Sequence, residues 1–167
     1  MSRVDRGSVV TIRIVGRDLP GPVCGDHRHV HVGVQRGAEP VQVVPSADGG
    51  RAVFEVPVEV VTAADGSADY RGPYVHGRRG GRFLYLTWGE RPPGGPFAMF
   101  RRAKLALDDI PGEVWASAVD GGVVEGSLGL ADADGMPVCA SVRPPRVAWR
   151  AEAGPAAAGL AAEPGSG

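Results

Sequence analysis

Short runs in which apolar residues occupy every second position constrain the fold more than any other feature of this sequence. The clearest run is residues 29–35, where valine alternates with histidine, glycine and glutamine. Successive side chains of a β-strand point to opposite faces, so a period of two predicts a strand with one buried face. Comparable runs occupy residues 9–15, 52–62, 82–89 and 98–107. The chain is therefore predicted to consist mainly of β-strands.

Glycine, proline and aspartate cluster between these runs and predict tight turns. Clear examples are residues 46–50, 64–67 and 77–81. The runs recur about every ten residues, a spacing typical of all-β domains. The predicted fold class is all-β, an antiparallel sandwich or small barrel of roughly seven to nine strands with one short helix near 111–119.

Local signals add detail to this prediction. Pro111 fits the first turn of the helix, and Asp109 is a candidate N-terminal cap. Residues 123–130 and 136–142 flank a turn rich in aspartate and glycine, which predicts a final hairpin. Pro57 lies inside a strand run but has no N–H to donate, so an edge position or a bulge is expected there.

The length predicts one domain. The 167 residues are enough for a single core, and 43% of them are hydrophobic although glycine (26) and proline (15) are abundant. Residues 1–8 read as a polar leader, and residues 9–150 as the single β domain. Residues 151–167 are mostly alanine, glycine and proline, and we expect them to be disordered because such side chains add little to a core.

Composition also indicates a compartment. The first residues contain no apolar signal core, and no apolar run approaches the roughly 18 residues of a membrane span, so no membrane association is expected. Cys24 and Cys139 form no CxxC pair, which makes a reducing, cytoplasmic compartment the default and leaves open a disulfide between them. Arginine is abundant and Lys104 is the only lysine, as in bacteria with GC-rich genomes.

Positive charge is concentrated in one segment. Residues 71–104 carry eight basic side chains and one acid, Glu90, which gives a local charge of +7 in a chain of net charge −1. Such a segment favours a small anionic partner, whereas the near-neutral total argues against general nucleic-acid binding. The alternative is that these arginines are solvated ends of strands.

Within that segment, residues 71–89 combine arginines with aromatic side chains around a glycine-rich turn. Arginine binds carboxylates and phosphates through a planar fork, and aromatic rings pack against planar groups. The turn lacks the GK[ST] signature of a phosphate loop. The predicted ligand-binding residues are three arginines that hold the anion and two aromatic residues that contact its apolar part, namely Arg71, Arg82, Arg102, Tyr85 and Trp88.

The same stretch contains groups that can move protons. A histidine can act as a general acid or base, and a tyrosine can take the same role. The catalytic candidates are His76, Tyr74 and Tyr85, and the chain has no nucleophile motif such as GxSxG. No cofactor is predicted for this chemistry.

Alternating histidines at residues 27–31 make His29 and His31 weak candidates for metal ligands. Alternate residues of a strand share a face, so two imidazoles could converge on one ion. The spacing is similar to the first cupin motif, but that motif has a glutamate a few residues later, and the first one here is Glu39. The alternative is an ordinary polar strand face, and the sequence predicts no metal site.

Four runs together form a more specific pattern. They are RGPYVHG at 71–77, GRFLYLTWG at 81–89, RRAKLAL at 101–107 and GMPVCASV at 135–142. Through them the chain resembles a bacterial family known only as a domain of unknown function, and the resemblance covers most of residues 9–149. That family has no established activity, so the resemblance implies no substrate.

Three functions are compatible with these observations. The first is a small-molecule-binding β domain that recognises an anionic or planar ligand through the basic aromatic stretch. The second is a cofactor-independent cyclase or isomerase that uses the same pocket. The third is a protein-interaction module, and a homodimer formed through an edge strand is also left open.

Overall fold

Eleven strands, one 3₁₀ turn and one short helix make up the part of the chain that the computed structural model describes, residues 7–77, 79, 81–118, 121–129 and 146–152. The strands are β1 (Ser8–Arg17), β2 (Val23–Cys24), β3 (His27–Arg28), β4 (Val30–Arg36), β5 (Glu39–Pro45), β6 (Ala52–Thr62), β7 (Ala68–Arg71), β8 (Phe83–Glu90), β9 (Ala98–Ala106), β10 (Val123–Gly129) and β11 (Val147–Glu152). A 3₁₀ turn (Leu107–Asp109) leads into helix α1 (Gly112–Ala118).

Nine of these strands form two sheets. One sheet has five strands in the order β11-β10-β1-β6-β7, and the other has four in the order β5-β4-β8-β9. The two-residue strands β2 and β3 form a separate small hairpin. Neither sheet closes into a barrel, so the all-β prediction with one short helix is confirmed in its sandwich form. All pairings are antiparallel except that of β1 with β10, which is parallel.

The core lies between the two sheets, where the sequence alternation predicts it. In β1, Val10, Ile12 and Ile14 are fully buried, while Val9 is 59% exposed. Burying a large aliphatic side chain contributes about 1.5–3 kcal/mol, which explains why one face of each strand is apolar. Corresponding sets from other strands complete the core, among them Val30, Val32, Val34, Phe54, Val56, Val58, Leu84, Leu86 and Trp88.

Pro57 lies where strand β6 has a partner on one side only. It pairs with Thr11 of β1, whereas β7 pairs with β6 only from Glu59 onward. Two residues earlier, the Gln42 amide replaces a strand partner, because its Nε2 donates to the Glu55 carbonyl at 2.9 Å and its Oε1 accepts from the Glu55 N–H at 3.3 Å. At Pro57, strand β6 therefore lies at an edge, as the sequence predicts.

Ion pairs connect four strands on the outer face of the five-stranded sheet. Arg13 of β1 lies 3.0 Å from Glu55 of β6, 2.8 Å from Glu152 of β11 and 3.5 Å from Glu125 of β10. Arg150 adds a second contact to Glu125 at 2.8 Å. Hydrogen bonds to Glu55 and then Glu152 raise the pKa of Arg13 above its ordinary value. The arginine therefore stays charged and holds carboxylates from neighbouring strands.

The N-terminus of α1 differs from its prediction. Asp109 belongs to the preceding 3₁₀ turn and does not cap the helix. The Pro111 carbonyl instead accepts hydrogen bonds from the N–H groups of Val114 and Trp115, at 3.0 and 3.2 Å. Proline fits here because its own missing N–H is not needed in the first turn.

No helix in the described ranges is long and apolar enough to span a bilayer.

Helix α1 packs its aromatic residue against the edge of the five-stranded sheet. The Trp115 ring stacks on Tyr70 of β7, with ring centres 5.1 Å apart. Burial raises the pKa of the Tyr70 phenol, and the carboxylates of Asp108 and Asp69 raise it further, while the Trp115 side chain opposes the rise. Tyr70 is therefore held in its neutral form.

Several predictions from the sequence concern residues at the limits of the described ranges or outside them. β1 begins at Ser8 and β11 ends at Glu152, one and two residues outside the expected domain limits. Most of the leader, the tail beyond Glu152 and the second strand of the final hairpin lie outside the description. Cys24 is buried and disulfide-bonded, and Cys139, the other cysteine, lies outside the description.

The raised pKa of Tyr70 predicts a loss of stability at alkaline pH. In the unfolded chain a tyrosine ionises near pH 10, whereas the folded protein keeps the Tyr70 proton to higher pH. This contribution is complete below about pH 10 and is lost as the pH rises through the folded pKa. Urea unfolding between about pH 8 and 11 should show a steeper fall in the free energy of unfolding for the parent than for Tyr70→Phe. Tyr74→Phe is the matched control. Equal slopes for the parent and Tyr70→Phe would contradict this assignment.

Candidate functional site

Strand β8 divides its side chains between two environments. Leu84, Leu86 and Trp88 are completely buried in the core. Phe83, Tyr85 and Thr87 alternate with them and lie on the outer face of the four-stranded sheet, since successive strand residues point to opposite faces. Trp88 is therefore part of the core, on the opposite face of the sheet from Tyr85.

A cluster of basic and aromatic side chains covers the outer face around Tyr85. We call it the outer-face cluster; its members are Gln35, His76, Phe83, Tyr85, Arg102 and Lys104. The Arg102 guanidinium carbon lies 4.4 Å from the centre of the Tyr85 ring, and the Lys104 ammonium lies 5.0 Å from that of Phe83. The His76 ring is 4.7 Å from Tyr85 and tilted by 48°. The β8–β9 register explains this proximity, because Tyr85 pairs with Lys104, and Thr87 with Arg102.

The backbone holds His76 beside the sheet. His76 and Phe83 exchange two backbone hydrogen bonds of 2.8 Å, and the Pro73 carbonyl accepts one from the Gly37 N–H at 2.8 Å. The His76 Nε2 lies 3.3 Å from the Gln35 carbonyl oxygen. A carbonyl can only accept, so Nε2 carries the proton in this contact and Nδ1 of the neutral ring is left as an acceptor.

Gln35 is a member of the cluster that the sequence reading did not select. It is 8% exposed, and its amide oxygen is buried without a hydrogen-bond partner in the described structure. A buried unpaired acceptor is costly, so an amide in this position favours a donor from a bound molecule or water. The alternation in residues 29–35 could have identified Gln35, because it places this residue on the strand face opposite the buried valines.

A cavity of about 640 Å³ adjoins the cluster. Phe83 and Lys104 belong to both, and the remaining lining residues come from β9, the turn after it and the start of β11: Leu105, Ala106, Asp109, Arg146 and Val147. Two cations and one carboxylate are therefore present around an opening of a size that suits a small organic molecule.

The three predicted anion-binding arginines do not come together. Arg82 Nε lies 3.3 Å from Asp69, and its Nη1 donates to the Gly77 carbonyl at 2.9 Å. Arg71 reaches the same carboxylate at 3.6 Å and is 63% exposed. Of the three, only Arg102 belongs to the outer-face cluster.

Of the catalytic candidates, His76 and Tyr85 are in ring contact. The side chain of Tyr74, the third candidate, is partly buried and packs against the hydrophobic core. The structure therefore leaves one histidine and one tyrosine as the pair that could share a proton-transfer role.

The two candidate metal ligands lie elsewhere, in a separate cleft. His29 adopts a left-handed backbone conformation, with φ of 55°, and interrupts the chain between β3 and β4. His31 Nδ1 lies 2.7 Å from the His29 carbonyl oxygen. Within the described residues, no three histidine, cysteine or acidic side chains are grouped to hold a metal ion.

Comparison with known proteins identifies a family but no activity. The model of a family described as "Family of unknown function (DUF5990)" matches residues 10–152. This confirms the resemblance to a domain of unknown function. No curated protein and no solved structure matches the chain.

Arg71 and Arg82 provide a matched pair of substitutions. Arg82→Gln should lower the free energy of unfolding by about 1–2 kcal/mol, because it removes a charged hydrogen bond to Gly77 and a partly buried ion pair. Arg71→Gln should change it by about 0.5 kcal/mol or less, because its contact is exposed. Urea denaturation of both variants measures the difference, and equal losses would show that Arg82 is not a structural residue.

Proposed function

The chain belongs to DUF5990, a family of unknown function, and we propose that it is a small-molecule-binding β domain whose outer-face cluster recognises an anionic, planar ligand. The observation that carries this proposal is the Arg102 guanidinium carbon 4.4 Å from the centre of the Tyr85 ring, with Lys104 on the same strand. Contact with the ring restricts the guanidinium, and its planar fork can bind a carboxylate through two hydrogen bonds.

The charge around the cluster supports an anion. Its members include two permanent cations and one histidine, with no carboxylate among them, while Asp109 lies at the neighbouring cavity. Arg102 and Lys104 are both exposed, so their charges face solvent from which a ligand arrives. An anion bound there would neutralise the like charges of Arg102 and Lys104, which share one face of β9.

The aromatic residues support a planar ligand. Phe83 lines the cavity and lies 6.5 Å from Tyr85, so the two rings provide an apolar wall next to the cations. Tyr85 itself is only 9% exposed, and Phe83 therefore offers more of the contact surface. A planar group would pack against Phe83 while its acidic group meets Lys104 or Arg102.

A second candidate function is proton transfer on the bound ligand. The observation that favours it is the His76 Nε2 contact with the Gln35 carbonyl, which leaves Nδ1 free to accept a proton. A cofactor-independent isomerase or cyclase would need this base together with the Tyr85 hydroxyl. Turnover that disappears in His76→Ala while ligand affinity remains would distinguish this candidate from simple binding.

Isothermal titration calorimetry with 2-naphthoate, a planar aromatic carboxylate, tests the binding proposal. Arg102→Gln should weaken binding by about tenfold, because it removes a charge-assisted hydrogen bond worth about 1.5 kcal/mol or more. Arg51→Gln makes the same change at an exposed site outside the cluster and should leave the affinity unchanged.

The neutral analogue 2-naphthamide separates charge from ring contact. It should bind more weakly than 2-naphthoate to the parent protein and should be little affected by Arg102→Gln. Equal affinities for the acid and the amide, or equal losses in Arg102→Gln and Arg51→Gln, would refute recognition of an anion by this cluster.

A further inference from the structure

We infer that the cleft containing His29 and His31 is a second binding site, which takes a small aliphatic carboxylate. This histidine–arginine cleft has a volume of about 470 Å³ and is lined by residues of β4, β5 and the β8–β9 loop. Its polar side chains include His29, His31 and Arg91. None of its described lining residues belongs to the outer-face cluster or to the cavity beside it.

The walls of this cleft are aliphatic. They are formed largely by proline rings and branched side chains: Pro22, Val30, Val43, Pro45, Pro92 and Pro93. No phenylalanine, tyrosine or tryptophan is among the described residues that line it. Apolar walls favour a ligand with a hydrophobic body, and walls made mostly of proline rings and branched aliphatic side chains favour a saturated body over a planar one.

The charge of the cleft is positive and uncompensated. Arg91 has no ion pair with any described carboxylate, and no aspartate or glutamate lines the cleft. The neighbouring Glu90 is engaged elsewhere, since its Oε1 lies 3.0 Å from His27 Nδ1 and accepts a hydrogen bond from the Arg28 N–H at 2.8 Å. Arg91 is therefore available to a carboxylate from solution.

One carbonyl group organises the three polar residues. The backbone carbonyl of His29 accepts a hydrogen bond from the backbone N–H of Arg91 at 3.1 Å, and the His31 Nδ1 lies 2.7 Å from the same oxygen. The left-handed conformation of His29, with φ of 55°, gives this residue a backbone direction that an ordinary strand residue lacks. The loop that carries Arg91 is thus tied to the strand that carries His31.

The His31 contact also defines the chemistry of its ring. Because Nδ1 donates to a carbonyl in the neutral tautomer, Nε2 is left as an acceptor. Nε2 can accept a hydrogen bond from water in the cleft, while Arg91 holds the carboxylate. This arrangement differs from a metal site, since no third ligand is grouped with the two histidines among the described residues.

A nuclear magnetic resonance titration with cyclohexylacetate, a saturated carboxylate, tests the inference. Amide shifts should concentrate at Val30, His31, Val43 and Gly94. Arg91→Gln should weaken the affinity about tenfold, because a charge-assisted contact is lost. Arg36→Gln, an exposed substitution at the last residue of β4, makes the same charge change and should leave the affinity unaltered.

The two sites can be tested separately in the same variants. Arg91→Gln should still bind 2-naphthoate at the outer-face cluster, which also shows that the variant is folded, and Arg102→Gln should still bind cyclohexylacetate. Absence of any cyclohexylacetate binding, shifts centred on Phe83 and Lys104, or equal affinities of Arg91→Gln and Arg36→Gln would each overturn the second site. None of these results depends on whether the outer-face cluster binds 2-naphthoate.

Discussion

Strand β8 buries Leu84, Leu86 and Trp88 between the two sheets, and this burial determines on which face its other side chains lie. A strand side chain has only two possible faces, so placing these three in the core puts Phe83, Tyr85 and Thr87 on the outer face. A register shift of one residue would exchange the two sets and expose Trp88. The cations of β9 then follow from pairing, because Lys104 lies opposite Tyr85, and Arg102 opposite Thr87.

Much of this architecture could be predicted from alternation alone. The run at residues 52–62 coincides with β6, and the valines of residues 29–35 are buried as expected. For β8, alternation does not identify the buried face, because both of its faces are rich in apolar residues. The alternation separates Tyr85 from Trp88, but only the packing of the second sheet shows which of them belongs to the core.

The candidate site depended on contacts between distant residues, which a local pattern does not reveal. Asp69 engages Arg82 and Arg71, and so removes two of the three arginines that composition had grouped as anion ligands. Gln35 and His76 meet because the segment after β7 runs beside the start of β8, where His76 pairs with Phe83. The parallel pairing of β1 with β10 likewise joins strands more than a hundred residues apart in the chain.

The central claim is that one face of β8 fills the core while the other contacts a ligand. Intermolecular nuclear Overhauser effects from bound 2-naphthoate test it directly, because they report protons within about 5 Å of each other. We expect effects from the naphthalene protons to the Phe83 ring and the Lys104 side chain, with none to Leu84, Leu86 or the Trp88 indole. Effects to Trp88, or to neither face of β8, would show that the outer face of β8 does not contact the ligand.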